Sequence, residues 1–196
     1  RKGMDIFSGG YEAASVAAVT DWTRHPYNAN TKESFYQALF KEPGGGHTPW
    51  HCDQVYWPID TSNTVTAWFP LQDTPMDMGP LSFARGSADI LDGRTHPIDE
   101  TSDAIIGPMM QDCPYLSQPF LLGDVSWHSG WTYHNASPNL TTRPREAFTV
   151  IFIDARARLT APSTPEKHAD AGRWCPGIQE GEIIASPLNP ILWSQP

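Results

Sequence analysis

His51 and Asp53 stand two apart in the run Thr48-Pro49-Trp50-His51-Cys52-Asp53-Gln54. Alternate side chains of a β-strand share a face, so at this spacing an imidazole and a carboxylate can aim at one point. A second imidazole from a distant strand would complete a facial triad of two histidines and one carboxylate. Such a triad leaves positions open on an iron(II) ion for substrate and oxygen. Downstream, Trp127-His128-Ser129 and Tyr133-His134-Asn135 each offer a histidine on a strand-like run, and Gly130 breaks the alternation between them. Periodicity therefore leaves His128 and His134 both open. With seven histidines in the chain, His-x-Asp alone is a weak signal; a preceding glycine loop, Gly44-Gly45-Gly46, and a following strand-like run, Thr64 to Leu71, strengthen it.

An arginine is the next chemical feature. In the run Arg145 to Asp154, residues Arg145, Ala147, Thr149 and Ile151 share one face and Glu146, Phe148, Val150 and Phe152 the other. A guanidinium on an otherwise apolar face needs an anion, and a carboxylate answers it in the bidentate geometry that Arg favours. Arg143 competes for the same role.

The elements that must position these groups are mostly strands. Nineteen prolines and fifteen glycines punctuate short runs: Phe35 to Lys41, Trp50 to Tyr56, Thr64 to Leu71, Leu81 to Ala84, Pro119 to Leu122, Val125 to His128, Trp131 to Asn135 and Arg145 to Asp154. Many short strands with turn signals between them indicate a β-sandwich or barrel. Ser8-Gly9-Gly10 reads as a flexible stretch, and Tyr11 to Arg24, Ala-rich and free of Gly and Pro, reads as a helix. Asp89 to Asp112 is an irregular insertion expected to hold a helical turn and to help cover the site. After Ala155 a Pro-rich segment carries no clear pattern.

Composition excludes several classes. At 196 residues and 39% hydrophobic, the chain suits one domain with a real core. A net charge of −9 speaks against nucleic acid and anionic membranes, which require clustered Lys and Arg. The longest apolar run, Phe148 to Ile153, is far too short for a membrane span. Cys52, Cys113 and Cys175 are too few for a disulfide framework, and no signal peptide is visible, so a reducing cytoplasm is the expected location. The glycosylation sequons at Asn135 and Asn139 are read as accidental, since a glycan on Asn135 would crowd His134. Arg1 in place of an initiating Met implies a fragment or a processed or trimmed form.

The chain resembles the phytanoyl-CoA dioxygenase family of iron(II)/2-oxoglutarate oxygenases. The resemblance rests on Gln37-Ala38-Leu39-Phe40-Lys41-Glu42-Pro43-Gly44-Gly45-Gly46, His51-Cys52-Asp53-Gln54, Trp68-Phe69-Pro70-Leu71, Met78-Gly79-Pro80-Leu81, Gly123-Asp124, His134, Asn139 and Arg145. It spans about residues 34–154. Departures are Cys52, where many relatives carry Gln, Ala136, where Ser or Gly is usual, and an N-terminal part of the family domain that is missing or shortened. The resemblance implies a mainly β fold, a double-stranded β-helix (jelly-roll) core with a few flanking helices, in one oxygenase domain over 1–196. It places the cosubstrate arginine eleven positions beyond the distal histidine, which selects His134 and Arg145, eleven apart here, and leaves His128 as a nearby core group.

Also by resemblance, His51, Asp53 and His134 hold Fe(II), Arg145 anchors 2-oxoglutarate, Gln37 and Trp68 line the cosubstrate pocket, and O2 is the oxidant. Tyr56, Trp57 and Trp131 flank the ligand segments and read either as an aromatic wall over a small-molecule substrate or as packing aromatics, and Arg85 either as a partner for an acidic substrate group or as a solvated loop charge. The expected reaction is hydroxylation of an aliphatic C–H in a small metabolite or natural-product intermediate, with release of succinate and CO2. Asp53 argues against halogenation, because halogenating relatives carry a small residue there. A zinc hydrolase could use the same His, Asp and His, and a non-catalytic sugar-binding jelly roll would account for the eight tryptophans. The hydrolase would not need Arg145, and the sugar-binding module would need no metal.

Overall fold

A computed structural model of the chain describes residues 4–5, 16–18 and 36–192, with side chains from residue 38 onward. Its strands are β1 (Met4–Asp5), β2 (Val16–Ala18), β3 (Tyr36–Lys41), β4 (Thr48–His51), β5 (Thr64–Pro70), β6 (Leu81–Ala84), β7 (Tyr115–Ser117), β8 (Ser126–Ser129), β9 (His134–Ala136) and β10 (Arg145–Asp154). Two α-helices, α1 (Ser102–Ile106) and α2 (Pro165–Trp174), and several short 3-10 turns complete the described elements. One sheet runs β1-β8-β5-β10-β2, with β3 also on β10, and the other runs β4-β9-β6-β7. Strands dominate, as expected of a jelly-roll core. No described helix is long and apolar enough to cross a membrane.

The chain forms two compact units. The first contains Ala38–Val55 and Thr66–Thr149. Its core joins Trp68 and Ala147 of one sheet to Leu81, Phe83 and Ala136 of the other, with Phe120 and Leu39 packed beside them. Inward positions of two sheets meeting in this way are the core of a sandwich. Every candidate metal ligand belongs to this unit.

The second unit contains Tyr56–Val65 and Val150–Pro196, and buries Ile153, Ala155, Ala157, Leu159, Trp174, Cys175 and Ile184. Its helix α2 corrects the expectation of a patternless tail. Thr164 Oγ1 accepts from the Lys167 N–H at 3.3 Å, Pro165 stands in the first turn with Glu166, and Trp174 closes the helix against the core. These are helix-start signals on the sequence, hidden among prolines that lie outside the helix.

Asp170 on α2 borders a small apolar cavity lined by Trp57, Ile59, Ile153 and Trp174. Burial raises its carboxyl to about 6, against the opposing pull of Arg173 and a hydrogen bond from Trp174. A raised carboxyl stabilises the fold below its ordinary pKa, and that contribution is lost as pH rises through about 6. At pH 7 the ionised form is a burden. Asp170→Asn is therefore expected to stabilise the protein by about 1–2 kcal/mol at pH 7–8, allowing for partial solvent screening. Thermal melts across pH check this: the advantage should vanish near pH 4, and an equal gain at both ends would contradict it.

Other expectations change at the level of elements. Val16–Ala18, inside the segment read as a helix, pairs antiparallel with Asp154, Ile153 and Phe152 as β2, so sheet pairing overrides the helical preference of alanine there. The rest of Tyr11 to Arg24, like Ser8-Gly9-Gly10, lies outside the described residues. The Pro119 to Leu122 run is not a strand: Phe120 makes an isolated bridge to Thr74, and the strand beside β6 is Tyr115–Ser117. Trp50 to Tyr56 is not one strand either, with consequences for the site. The insertion holds α1 and a following 3-10 turn, Gly107–Met110, in line with expectation.

Candidate metal centre

β9 lies between β4 and β6. Against β9, Thr48 stands opposite Ala136 while His51 stands opposite His134, so the register shifts by one between these pairs. An unbroken ladder would have set His51 against Tyr133. The bulge supplies the extra residue, and Pro49, which has no N–H to give to a ladder, sits within it. Residues directly opposite in an antiparallel pair project to one face, and here the two imidazole centroids are 4.2 Å apart.

The strand ends at His51. Asp53 begins a 3-10 turn, Asp53–Tyr56, pinned where the Gln54 N–H donates to the Gly130 carbonyl at 2.9 Å. A turn, not strand alternation, thus brings the carboxylate round, and this corrects the reading of His51 and Asp53 as alternate positions of one strand. The convergence is nonetheless achieved: Asp53 Oδ1 lies 3.6 Å from His134 Nε2, and ligand atoms of His51, Asp53 and His134 lie within 4.8 Å of one another.

Their protonation suits a metal. His51 Nδ1 is 2.8 Å from the Pro49 carbonyl and His134 Nδ1 is 3.0 Å from the Thr132 carbonyl. A carbonyl only accepts, so both Nδ1 atoms carry hydrogen and both Nε2 atoms present a lone pair. Burial, then the neighbouring His134, lowers His51 to about 4, and burial lowers His134 as well. Burial alone would raise Asp53, but the imidazoles of His134, His128 and His51 outweigh it and hold the carboxyl below its usual range. Two neutral nitrogens and one anionic oxygen result, a donor set that fits a divalent first-row metal.

His128 does not join that group. Its side chain is 1% exposed and its Nε2 lies 3.6 Å from the other carboxylate oxygen, Asp53 Oδ2. Thr66 Oγ1 donates to the same Oδ2 at 3.1 Å.

Arg145, buried at the start of β10, is separated in kind from Arg143, which is exposed. Its Nη1 donates to the Gly79 carbonyl at 2.7 Å, and its Cζ lies 5.7 Å from the Trp68 ring centroid. Gly79 has φ +71°, and a Cβ there would collide with the Ser137 carbonyl, so glycine lets this loop approach. Burial lowers Arg145 only to about 10, leaving it charged at neutral pH. Among the described residues, Arg145 Nε and Trp68 Nε1 are buried donors without a partner. Unfilled buried donors next to a cation fit the carboxylate of a bound ligand.

Lys41 is a second buried cation here and was not singled out from sequence. Its Nζ donates to the Ser137 carbonyl at 2.8 Å and the Ala136 carbonyl at 3.3 Å, and burial followed by the charge of Arg145 lowers it to about 8. A lysine in register with inward-facing Leu39 on β3 was the available signal. The side chain of Gln37 lies outside the described residues.

The insertion is tied to both histidine strands. Asp103 on α1 accepts from the Trp50 N–H at 2.9 Å and lies 2.9 Å from His47 Nε2, while the Tyr133 hydroxyl donates to the Asp92 carbonyl at 2.7 Å. Arg94, held by the Ile90 and Ala88 carbonyls, sits 4.4 Å over the Trp131 ring. Arg85 is exposed at the end of β6. Tyr56 and Trp57 belong to the second unit, where Trp57 borders the cavity described above. Both sequon asparagines, Asn135 and Asn139, are buried, and the Asn139 amide donates to the Lys41 and Arg143 carbonyls.

Comparison with known proteins yields a family and a set of folds. The family described as Phytanoyl-CoA dioxygenase (PhyH) matches residues 12–147. Among solved structures, the non-heme alpha ketoglutarate dependent epimerase SnoN from nogalamycin biosynthesis is 21% identical with a TM-score of 0.69, covering 92% of this chain and 64% of its own. The carbocyclase SnoK from the same biosynthesis is 24% identical with a TM-score of 0.66, covering 90% of this chain and 62% of its own. SnoN in complex with Fe3+, alpha ketoglutarate and nogalamycin RO gives 22% and 0.65, covering 90% and 64%. This chain thus spans less than two thirds of the length of either protein. No curated protein matches it.

Proposed function

The chain belongs to the phytanoyl-CoA dioxygenase family, and from that premise we propose that it is an iron(II)- and 2-oxoglutarate-dependent dioxygenase hydroxylating an aliphatic C–H of a small metabolite or natural-product intermediate. The observation that carries the reading is the pairing of two features in one unit. A His51, Asp53 and His134 donor set is accompanied by a buried Arg145 whose Nε, with Trp68 Nε1, has no hydrogen-bond partner among the described residues. A zinc hydrolase or a sugar-binding module would have no use for that buried cation.

His51 and His134 would hold the metal through Nε2 and Asp53 through a carboxylate oxygen. Arg145 would bind the far carboxylate of 2-oxoglutarate, with Trp68 donating beside it. When bound, iron and 2-oxoglutarate supply dioxygen activation coupled to decarboxylation, one oxygen atom ending in succinate and the other in the hydroxyl of the product. The chain's own contribution is orientation and exclusion of water. The insertion, anchored to β4 through Asp103 and over Trp131 through Arg94, supplies a cover for that purpose. Trp131 and Arg85, in the unit that holds the candidate ligands, remain the proposed substrate contacts. A single oxygenase domain over 1–196, acting in the cytoplasm on a small molecule, completes the proposed reading; the three unpaired cysteines suit a reducing compartment.

Anaerobic addition of iron(II) and then 2-oxoglutarate to the metal-free protein tests this. A visible charge-transfer absorption should appear only with both present, and admission of oxygen should yield succinate. Absence of the band and of succinate would sink the proposal, and product analysis with substrate would separate hydroxylation from the epimerisation and carbocyclisation named for SnoN and SnoK.

A further inference from the structure

We infer that His128 is a positioning residue for the metal-binding carboxylate. With Thr66 it holds Asp53 Oδ2, so that Asp53 offers the metal Oδ1 alone. The inference rests on the proposed metal site and concerns how many of its positions stay open.

The two carboxylate oxygens of Asp53 have different surroundings. Oδ1 is the one near a ligand nitrogen, 3.6 Å from His134 Nε2. Oδ2 has the Thr66 hydroxyl at 3.1 Å and His128 Nε2 at 3.6 Å. His128 lies on β8 and Thr66 on β5, strands adjacent in one sheet, so both donors come from rigid backbone. The ring of His128 is wedged between Phe83, with centroids 5.1 Å apart, and His134, at 4.9 Å, which leaves it little freedom to turn.

The tautomer follows from what is missing. His128 Nδ1 is buried and has no hydrogen-bond partner among the described residues. An imidazole proton placed there would be a buried donor with nothing to receive it, whereas on Nε2 it points at a carboxylate. The Nε2–H form is therefore the favoured one, and its remaining orphan is a lone pair. A buried histidine kept in this form at the expense of an unsatisfied Nδ1 has its reason in Asp53.

The chemical consequence is coordination number. A carboxylate free on both oxygens can chelate through both and would take one of the three positions that a facial triad leaves open. The hydrogen bond from Thr66 and the Nε2–H of His128, 3.6 Å away and aimed at the same oxygen, oppose that. Groups that orient a metal ligand in this way typically change metal affinity by about 10–100-fold when removed.

His128→Gln and His128→Asn make the test, because a Gln amide nitrogen reaches the place of Nε2 and an Asn amide nitrogen does not. Mn(II) alone is the probe, read by affinity and by water proton relaxation of the loaded protein, with circular dichroism to confirm folding. His128→Gln is expected to stay near wild type. His128→Asn should bind Mn(II) about 10–100-fold more weakly and lose about a third of its inner-sphere relaxation, one of three coordinated waters being displaced by Oδ2. Thr66→Val, removing only the other donor, should shift in the same direction and decides the matter if an amide variant fails to fold. Wild-type values in His128→Asn or Thr66→Val, or equal losses in both amide variants, would overturn the inference. Failure of the wild-type protein to bind Mn(II) at a site sensitive to His134→Ala would instead overturn the metal site itself.

Discussion

His134→Ala is expected to abolish iron-dependent formation of succinate while leaving the fold intact. Each of His51, Asp53 and His134 would supply one of three protein bonds to the metal, and loss of a direct ligand should exceed the roughly 10–100-fold effect typical of groups that only orient ligands. The fold should survive because alanine at 134 keeps the backbone of β9 and its pairing with both β4 and β6. His128→Ala provides the contrast. It should weaken metal binding yet retain measurable turnover at saturating iron, since His128 faces Asp53 Oδ2 from outside the donor set. Iron content after dialysis and succinate yield are the measurements. If His128→Ala lost iron while His134→Ala kept it, the ligand assignment would be reversed.

The second large effect is expected at Arg145. Arg145→Ala should leave iron bound but raise the 2-oxoglutarate requirement by about 30-fold to several thousand-fold. The magnitude follows from removing one partner of a buried charge-assisted pair, about 2–5 kcal/mol at about 1.4 kcal/mol per decade. The arginine is buried, its Nη1 is fixed on the Gly79 carbonyl, and its Nε lacks any partner among the described residues, so its binding geometry is already formed. Arg143→Ala should do far less, because that side chain is exposed. A 2-oxoglutarate titration of both variants separates the two, and an unchanged requirement in Arg145→Ala would place the anchor elsewhere.

How much of this was legible in the sequence differs from element to element. Residue types carried the candidate chemistry, whereas alternation misread how Asp53 reaches His51, since a turn rather than a strand brings it round. His, Asp, His and Arg were identifiable because few side chains bind metals or carboxylates, and the strand from Arg145 to Asp154 was readable to the residue because its β-branched and aromatic run is long. The choice between His128 and His134 needed the family spacing, since Gly130 defeats period counting, and the tertiary structure then placed the unchosen histidine against the carboxylate.

What the sequence by itself determined about this protein was the set of groups and the strand-rich architecture, because composition, turn residues and local period are properties of neighbours in the chain. What only the tertiary structure decided was how those groups meet. The one-residue bulge that sets His51 across from His134 is a property of the pairing of two strands more than eighty residues apart, invisible to either alone. The turn at Asp53 depends on the Gly130 carbonyl receiving the Gln54 N–H, and the roles of Thr66, His128 and Lys41 arise from partners equally remote in sequence. Val16–Ala18 obeys the same rule, taken up by the edge of β10 against its helical preference. Long-range hydrogen bonds and burial act between residues that no sequence window holds together, and it is they that bring the candidate ligands to one place.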